Sequence, residues 1–136
     1  DIATTYKFFA NANRVAMYGG ALYHYWQHPG SIMASRFQKS RFDALSGANE
    51  LYEFVVHQYP KLERAANCRR FSCYCQVLLM MPKQGYEAER RHIWRILRAS
   101  RKSVLLDRNA RKKNRMAALL CFGGESVLRF VWTRRC

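Results

Sequence analysis

The chain has 136 residues and 49% of them are apolar, enough for one modest core and too many for a chain disordered throughout. It carries 24 lysines and arginines, mostly arginine, against 9 acidic residues, for a net charge of +15. This balance leaves few carboxylates for general acid–base chemistry and points to an acidic partner: nucleic acid, anionic lipid or an acidic protein.

The first predicted element is a helix from about Thr5 to Trp26. Phe8, Val15, Tyr18, Leu22 and Tyr25 recur there on one helical face. Gly19 and Gly20 lie inside it, each weakening a helix by about 1 kcal/mol relative to alanine. Gln27-His28-Pro29-Gly30 ends the segment. Ser31 is the expected N-cap of a second helix that places Met33, Phe37, Ser40 and Ala44 on one face. Ser46-Gly47 reads as a break. A third helix then carries Leu51, Val55 and Tyr59 and stops at Pro60. Three helices with short connections are expected to pack as an antiparallel bundle over residues 1–60.

Residues 61–136 read as an extension. The pattern from Lys61 to Gly85 is irregular, and Val77 to Met81 is a short apolar run expected to lie extended on a neighbour. A long basic helix is predicted from Tyr86 to about Arg115. Glu87 and Glu89 suit its start, and Arg111, Lys112, Lys113 and Arg115 suit its end. Its narrow apolar stripe is Ile93, Leu97 and Val104, with Trp94 beside it. A helix so basic is expected to lie across another molecule rather than in a core of its own. The last residues, from Met116, hold two short apolar runs around Gly123-Gly124 and read as an extended anchoring tail. The predicted class is all-α.

No phosphate loop of Walker or Rossmann type is present. His24 and His28 have metal-ligand spacing on a helix, but Pro29 follows and no acidic residue is near. Cys68, Cys73 and Cys75 cluster without a zinc-site spacing, and the five cysteines read as buried or interface thiols, with one disulfide left open. No catalytic residue and no metal site are expected. The uncharged stretch from Val15 to Ser35 is interrupted by His24, Gln27, His28, Pro29 and Gly30, so no transmembrane helix is expected. The chain opens on Asp1, and a cleaved targeting segment is expected before it. RNA binding is the rival reading of the charge, with the helix from Arg90 to Arg115 along phosphates, although no RNP-type sequence or suitable GxxG loop is present.

Met17-Tyr18-Gly19 followed by Ala21-Leu22 resembles the Leu-Tyr-Arg signature of the mitochondrial LYR-motif proteins. Arg36-Phe37 and Arg41-Phe42 resemble the arginine and phenylalanine of that family's second helix, and Gly47 to Leu51 the start of its third. Further matches in order along the chain, including Glu53-Phe54, His57 to Pro60, Tyr86, Ala88, Arg90, Trp94, Leu97, Arg98 and Val131 to Arg134, are similar to the branch of the family found in the membrane arm of respiratory complex I. The resemblance implies a LYR-type three-helix bundle and an accessory subunit without an active site, peripheral on the matrix side of the mitochondrial inner membrane. Its implied partners are other membrane-arm subunits and an acidic mitochondrial acyl carrier protein. That carrier brings the only implied cofactor, an acyl-4′-phosphopantetheine arm that enters the bundle. Nucleic acid has no part in this reading. The residues implied to bind the carrier are Arg14, Met17, Tyr18, Gly19, Leu22, Arg36, Phe37, Arg41 and Phe42. Gly19 stands where the motif has arginine, so either Arg14, Arg36 or Arg41 supplies the charge or the carrier contact is weakened.

Overall fold

The computed structural model describes residues 2–24, 26 and 37–133. Among them are six α-helices and no strand: α1 (Thr5–Asn11), α2 (Asp43–Gln58), α3 (Glu63–Met80), α4 (Glu87–Leu106), α5 (Lys112–Leu120) and α6 (Glu125–Thr133). The all-α expectation holds. Several expected elements do not.

The organising element is α3, in the stretch expected to be irregular and extended. Ala66, Phe71, Cys73, Tyr74, Cys75, Val77 and Leu78 are all buried, which leaves no single apolar stripe. A helix buried on most sides loses the one-faced period by which helices are recognised in sequence. Here α2 and α4 flank it. Asn49 Nδ2 of α2 donates to the Tyr74 hydroxyl at 2.6 Å, and the Cys73 thiol donates to the Ala44 carbonyl at 3.4 Å. On the other side Asn67 joins α3 to Ser100 and Ser103 of α4. Arg41, just before α2, meets Met80 at the end of α3 while Tyr52 meets Glu63 at its start, and Tyr74 meets His92 early in α4 while Asn67 meets Ser103 late in it, so α2, α3 and α4 are antiparallel neighbours. Their core includes Leu45 and Ala48 from one side of residue 60 and Phe71, Leu78, Ile93, Leu97, Val104 and Leu128 from the other. It therefore continues across the expected division at 60.

The break expected at Ser46-Gly47 is absent, and α2 runs through it. Gly47 serves close approach instead: a Cβ there would sit 2.9 Å from Cγ2 of Ile2. The stop at Pro60 is as expected, with α2 ending at Gln58. The expected first helix is cut to α1, and residues 12–24 are not helical. Gly19-Gly20 and an apolar face with nothing to pack on account for the loss, because a lone helix of this kind is marginal in water. The N-cap expected at Ser31, and Tyr25, His28, Met33 and Arg36, lie outside the described residues.

The predicted 86–115 helix is two helices. Asp107 ends α4, and its Oδ1 accepts the Asn109 N–H at 2.9 Å in a tight turn that redirects the chain into α5. The expected apolar stripe is correct, but it lies in the protein's own core: Ile93, Leu97 and Val104 are buried. The described part of the tail, to Thr133, is largely helical, not extended. Its α6 is clipped to the α3–α4 corner by Arg129, whose Nη1 donates to the Met81 carbonyl at 3.0 Å and whose Nε lies 2.7 Å from Oε1 of Glu125. Arg90 shares that glutamate at 3.8 Å and donates to the carbonyls of Pro82 and Lys83. No helix among the described residues is long and apolar enough to cross a membrane.

Candidate docking surface

With Ile93, Leu97, Ser100 and Val104 turned inward, the opposite face of α4 is fixed by geometry. Arg91, Arg95, Arg98 and Lys102 follow at spacings of four, three and four and are all exposed. At about 1.5 Å rise per residue they form a row about 16 Å long, with neighbours roughly one turn apart. Arg95 Nη2 donates to His92 Nδ1 at 3.2 Å, which steadies one member of the row. Sequence reading found this helix basic but not the alignment of its cations, because the register of the buried face was needed to define the outer one.

The carrier-binding residues implied by the LYR resemblance fall in two places. Arg14, Met17, Tyr18, Gly19 and Leu22 lie on the non-helical segment before residue 25, with Met17 97% and Leu22 82% exposed. Phe37, Arg41 and Phe42 lie just before α2. Phe37, Phe42 and Tyr86 form a trio of rings with centroids 5.4–5.6 Å apart. Arg41 Nη1 points to the Met80 sulfur at 3.7 Å. Tyr86 has φ 58°, a left-handed conformation unusual for a bulky residue, and its ring contacts in the trio hold it at the start of α4.

An acyl arm has no ready-made channel between α2, α3 and α4. Phe71, Tyr74, Leu78, Ile93 and Leu97 fill that interior with no exposure of their own, so a guest would have to displace them. Nor do the thiols offer nucleophiles. Cys73, Cys75 and Cys121 are buried free thiols, and burial pushes Cys75 to about 12 and Cys121 to about 11, so both stay protonated near neutrality. Among the described residues no three His, Cys, Asp or Glu side chains converge as a metal site would require. His24 and His57 are exposed and His28 lies outside the described residues.

Compared with protein-family models, curated proteins and solved structures, the chain matches none.

Proposed function

We propose that this chain is a non-catalytic docking subunit, held in a larger assembly by an acidic partner that lies along α4. The observation that carries the reading is the row Arg91, Arg95, Arg98 and Lys102, presented outward by a helix whose other face is fixed in the core. Regularly spaced exposed cations on a rigid element suit an extended acidic surface and give it register.

The resemblance along most of the chain supplies a specific form of this reading. The partner is a mitochondrial acyl carrier protein with its acyl-4′-phosphopantetheine. The assembly is the membrane arm of respiratory complex I, in which the chain is an accessory subunit supporting assembly from the matrix side of the inner membrane. The exposed segment with Arg14, Met17, Tyr18 and Leu22 supports it, since apolar side chains at helical spacing with no cover of their own suit a segment that folds on a partner. Titration of the purified chain with purified acyl carrier protein is the direct test. Binding is expected to weaken at least tenfold in an R91E/R95E/R98E variant and, separately, in M17D/L22D. Affinity unchanged in both variants sinks the carrier reading, as does failure to co-migrate with membrane-arm subunits on native gels.

The same row favours a second reading, an RNA-bound structural protein of the mitochondrial ribosome or a similar particle. Four phosphate contacts would give a log–log salt slope of about −3. Tight RNA binding with that slope, insensitive to M17D/L22D, would replace the carrier with RNA.

A further inference from the structure

A groove separate from the α4 row runs between α3, the start of α5 and the end of α6. Its main part is a cavity of about 490 Å³, inside the range of about 300–1,000 Å³ usual for small-ligand sites. Three cations from two elements converge on it: Arg69 of α3, and Arg111 and Lys113 at the start of α5. The remaining wall is mixed: Ser72, Gln76 and Asn114 supply polar groups, and Leu79, Met80, Ala117 and Trp132 an apolar strip. A second hollow adjoins it across Arg69 and Arg111 and is lined by Asn109 and Asn114 as well as Asp107, whose carboxylate is engaged by Asn109.

The placement of these charges is physically costly as it stands. Arg111, Lys112 and Lys113 crowd the amino end of α5, where the helix dipole is itself positive, and the first turn holds no acidic residue. Arg69 adds a further positive charge from across the groove. An anion seated among them relieves the repulsion. Guanidinium pairs suit phosphate oxygens in particular. Lys113 already lies over the Trp132 ring at 4.7 Å, so the cationic and apolar parts of the groove meet at one point. We infer that this groove binds a phosphate-bearing single-chain amphiphile, with the phosphate among Arg69, Arg111 and Lys113 and the chain along Leu79 and Trp132. This inference does not depend on the identity of the partner on α4.

The test uses the full chain with Trp26 and Trp94 replaced by phenylalanine, so that Trp132 alone reports. Decyl phosphate, below its micelle concentration, is expected to shift Trp132 emission to the blue and to bind at least tenfold more tightly than either inorganic phosphate or decyltrimethylammonium. The variant R69Q/R111Q/K113Q, changed only at exposed positions, should keep its circular dichroism and lose at least tenfold in decyl phosphate affinity. Trp132→Ala, followed by calorimetry, should weaken decyl phosphate and leave inorganic phosphate unchanged. Equal binding of the cationic amphiphile, equal binding of inorganic phosphate, or affinity unchanged in the triple variant would each overturn the assignment. Association only with phosphatidylglycerol vesicles, with none to the monomeric probe, would overturn it in favour of a membrane surface.

Discussion

Arg101 on α4 donates from Nη1 to the backbone carbonyl of Cys121, at 3.0 Å, and so caps α5 from a neighbouring helix. Its guanidinium also lies over the Phe122 ring at 4.2 Å. The arrangement is returned: Arg115 of α5 donates from Nε to the Leu105 carbonyl at 3.1 Å, near the end of α4. Each helix of the α4–α5 hairpin thus has its negative end met by an arginine of the other, as the helix dipole favours. Arg101 is half-buried and Arg115 exposed, so the two are unequal. Arg101→Ala is expected to cost about 2 kcal/mol, from the charge-assisted hydrogen bond and the ring contact together. Arg115→Ala should cost clearly less. Urea melts followed by circular dichroism check both, and equal midpoints for the two variants would contradict the assignment.

The second junction to test is between α3 and α4. Asn67 Oδ1 accepts from Ser100 Oγ at 3.0 Å and from Arg70 Nη2 at 3.2 Å, while its Nδ2 donates to Ser103 Oγ at 2.8 Å. Arg70 in turn stacks over the Tyr52 ring of α2 at 3.5 Å. One asparagine therefore links the helices on both sides of α3. Asn67→Ala is expected to cost about 2–3 kcal/mol, since it removes three hydrogen bonds and leaves the buried Ser100 hydroxyl without this partner. A double-mutant cycle with Ser100→Ala should show a coupling of about 1 kcal/mol. Strict additivity would mean that the two side chains do not interact.

Buried thiols give the protein an alkaline limit. In the folded chain Cys75 ionises at about 12 and Cys121 at about 11, chiefly because burial disfavours the thiolate. In the unfolded chain both titrate near the ordinary thiol value of 9.0, so above that pH the unfolded state releases protons that the folded state keeps. Their contribution is fully present below about pH 9 and is lost as pH rises through the folded values. Stability measured between pH 8 and 10.5 is expected to fall, with a shallower slope in C75A/C121A. An identical slope in the variant would assign the fall to other groups. At pH 8 both thiols should resist alkylation until the chain is unfolded.

Gly47→Ala separates helix propensity from close packing. Alanine improves a helix interior by about 1 kcal/mol. Its Cβ would meet Ile2 at 2.9 Å and Ala3 at 3.2 Å. Because Ile2 is near the chain end, the expected outcome is displacement of the first residues and α1 rather than loss of α2. Amide exchange should speed up at residues 5–11 and stay slow in α2. Unchanged protection of α1 would mean that the glycine is not needed for its docking.

What could be read in the sequence depended on how many sides of a helix are buried. Ile93, Leu97 and Val104 belong to a helix with one covered face, and its stripe was legible. The end of α2 before Pro60 was legible because proline acts locally. By contrast, α3 was hidden: Phe71, Tyr74, Cys75 and Leu78 face several neighbours, and no single period emerges. The consequence reaches function: an irregular 61–85 and an extended tail offer no elements to bring Arg69 and Trp132 together, so the groove they line is not visible in the sequence. The first segment failed for the opposite reason, since Val15, Tyr18 and Leu22 show a helical period but have nothing in the described chain to pack against.

The antiparallel succession of α2, α3, α4 and α5 also bears on how the chain reaches its structure. Each helix from α2 onward pairs with the one just made, so most stabilising contacts close short loops. Such low contact order is associated with folding in microseconds to milliseconds. As the chain leaves the ribosome, α2 and α3 can pair before α4 exists, and the reciprocal arginine caps then close the final hairpin. A chain that assembles in this order exposes the apolar faces of its core helices only briefly.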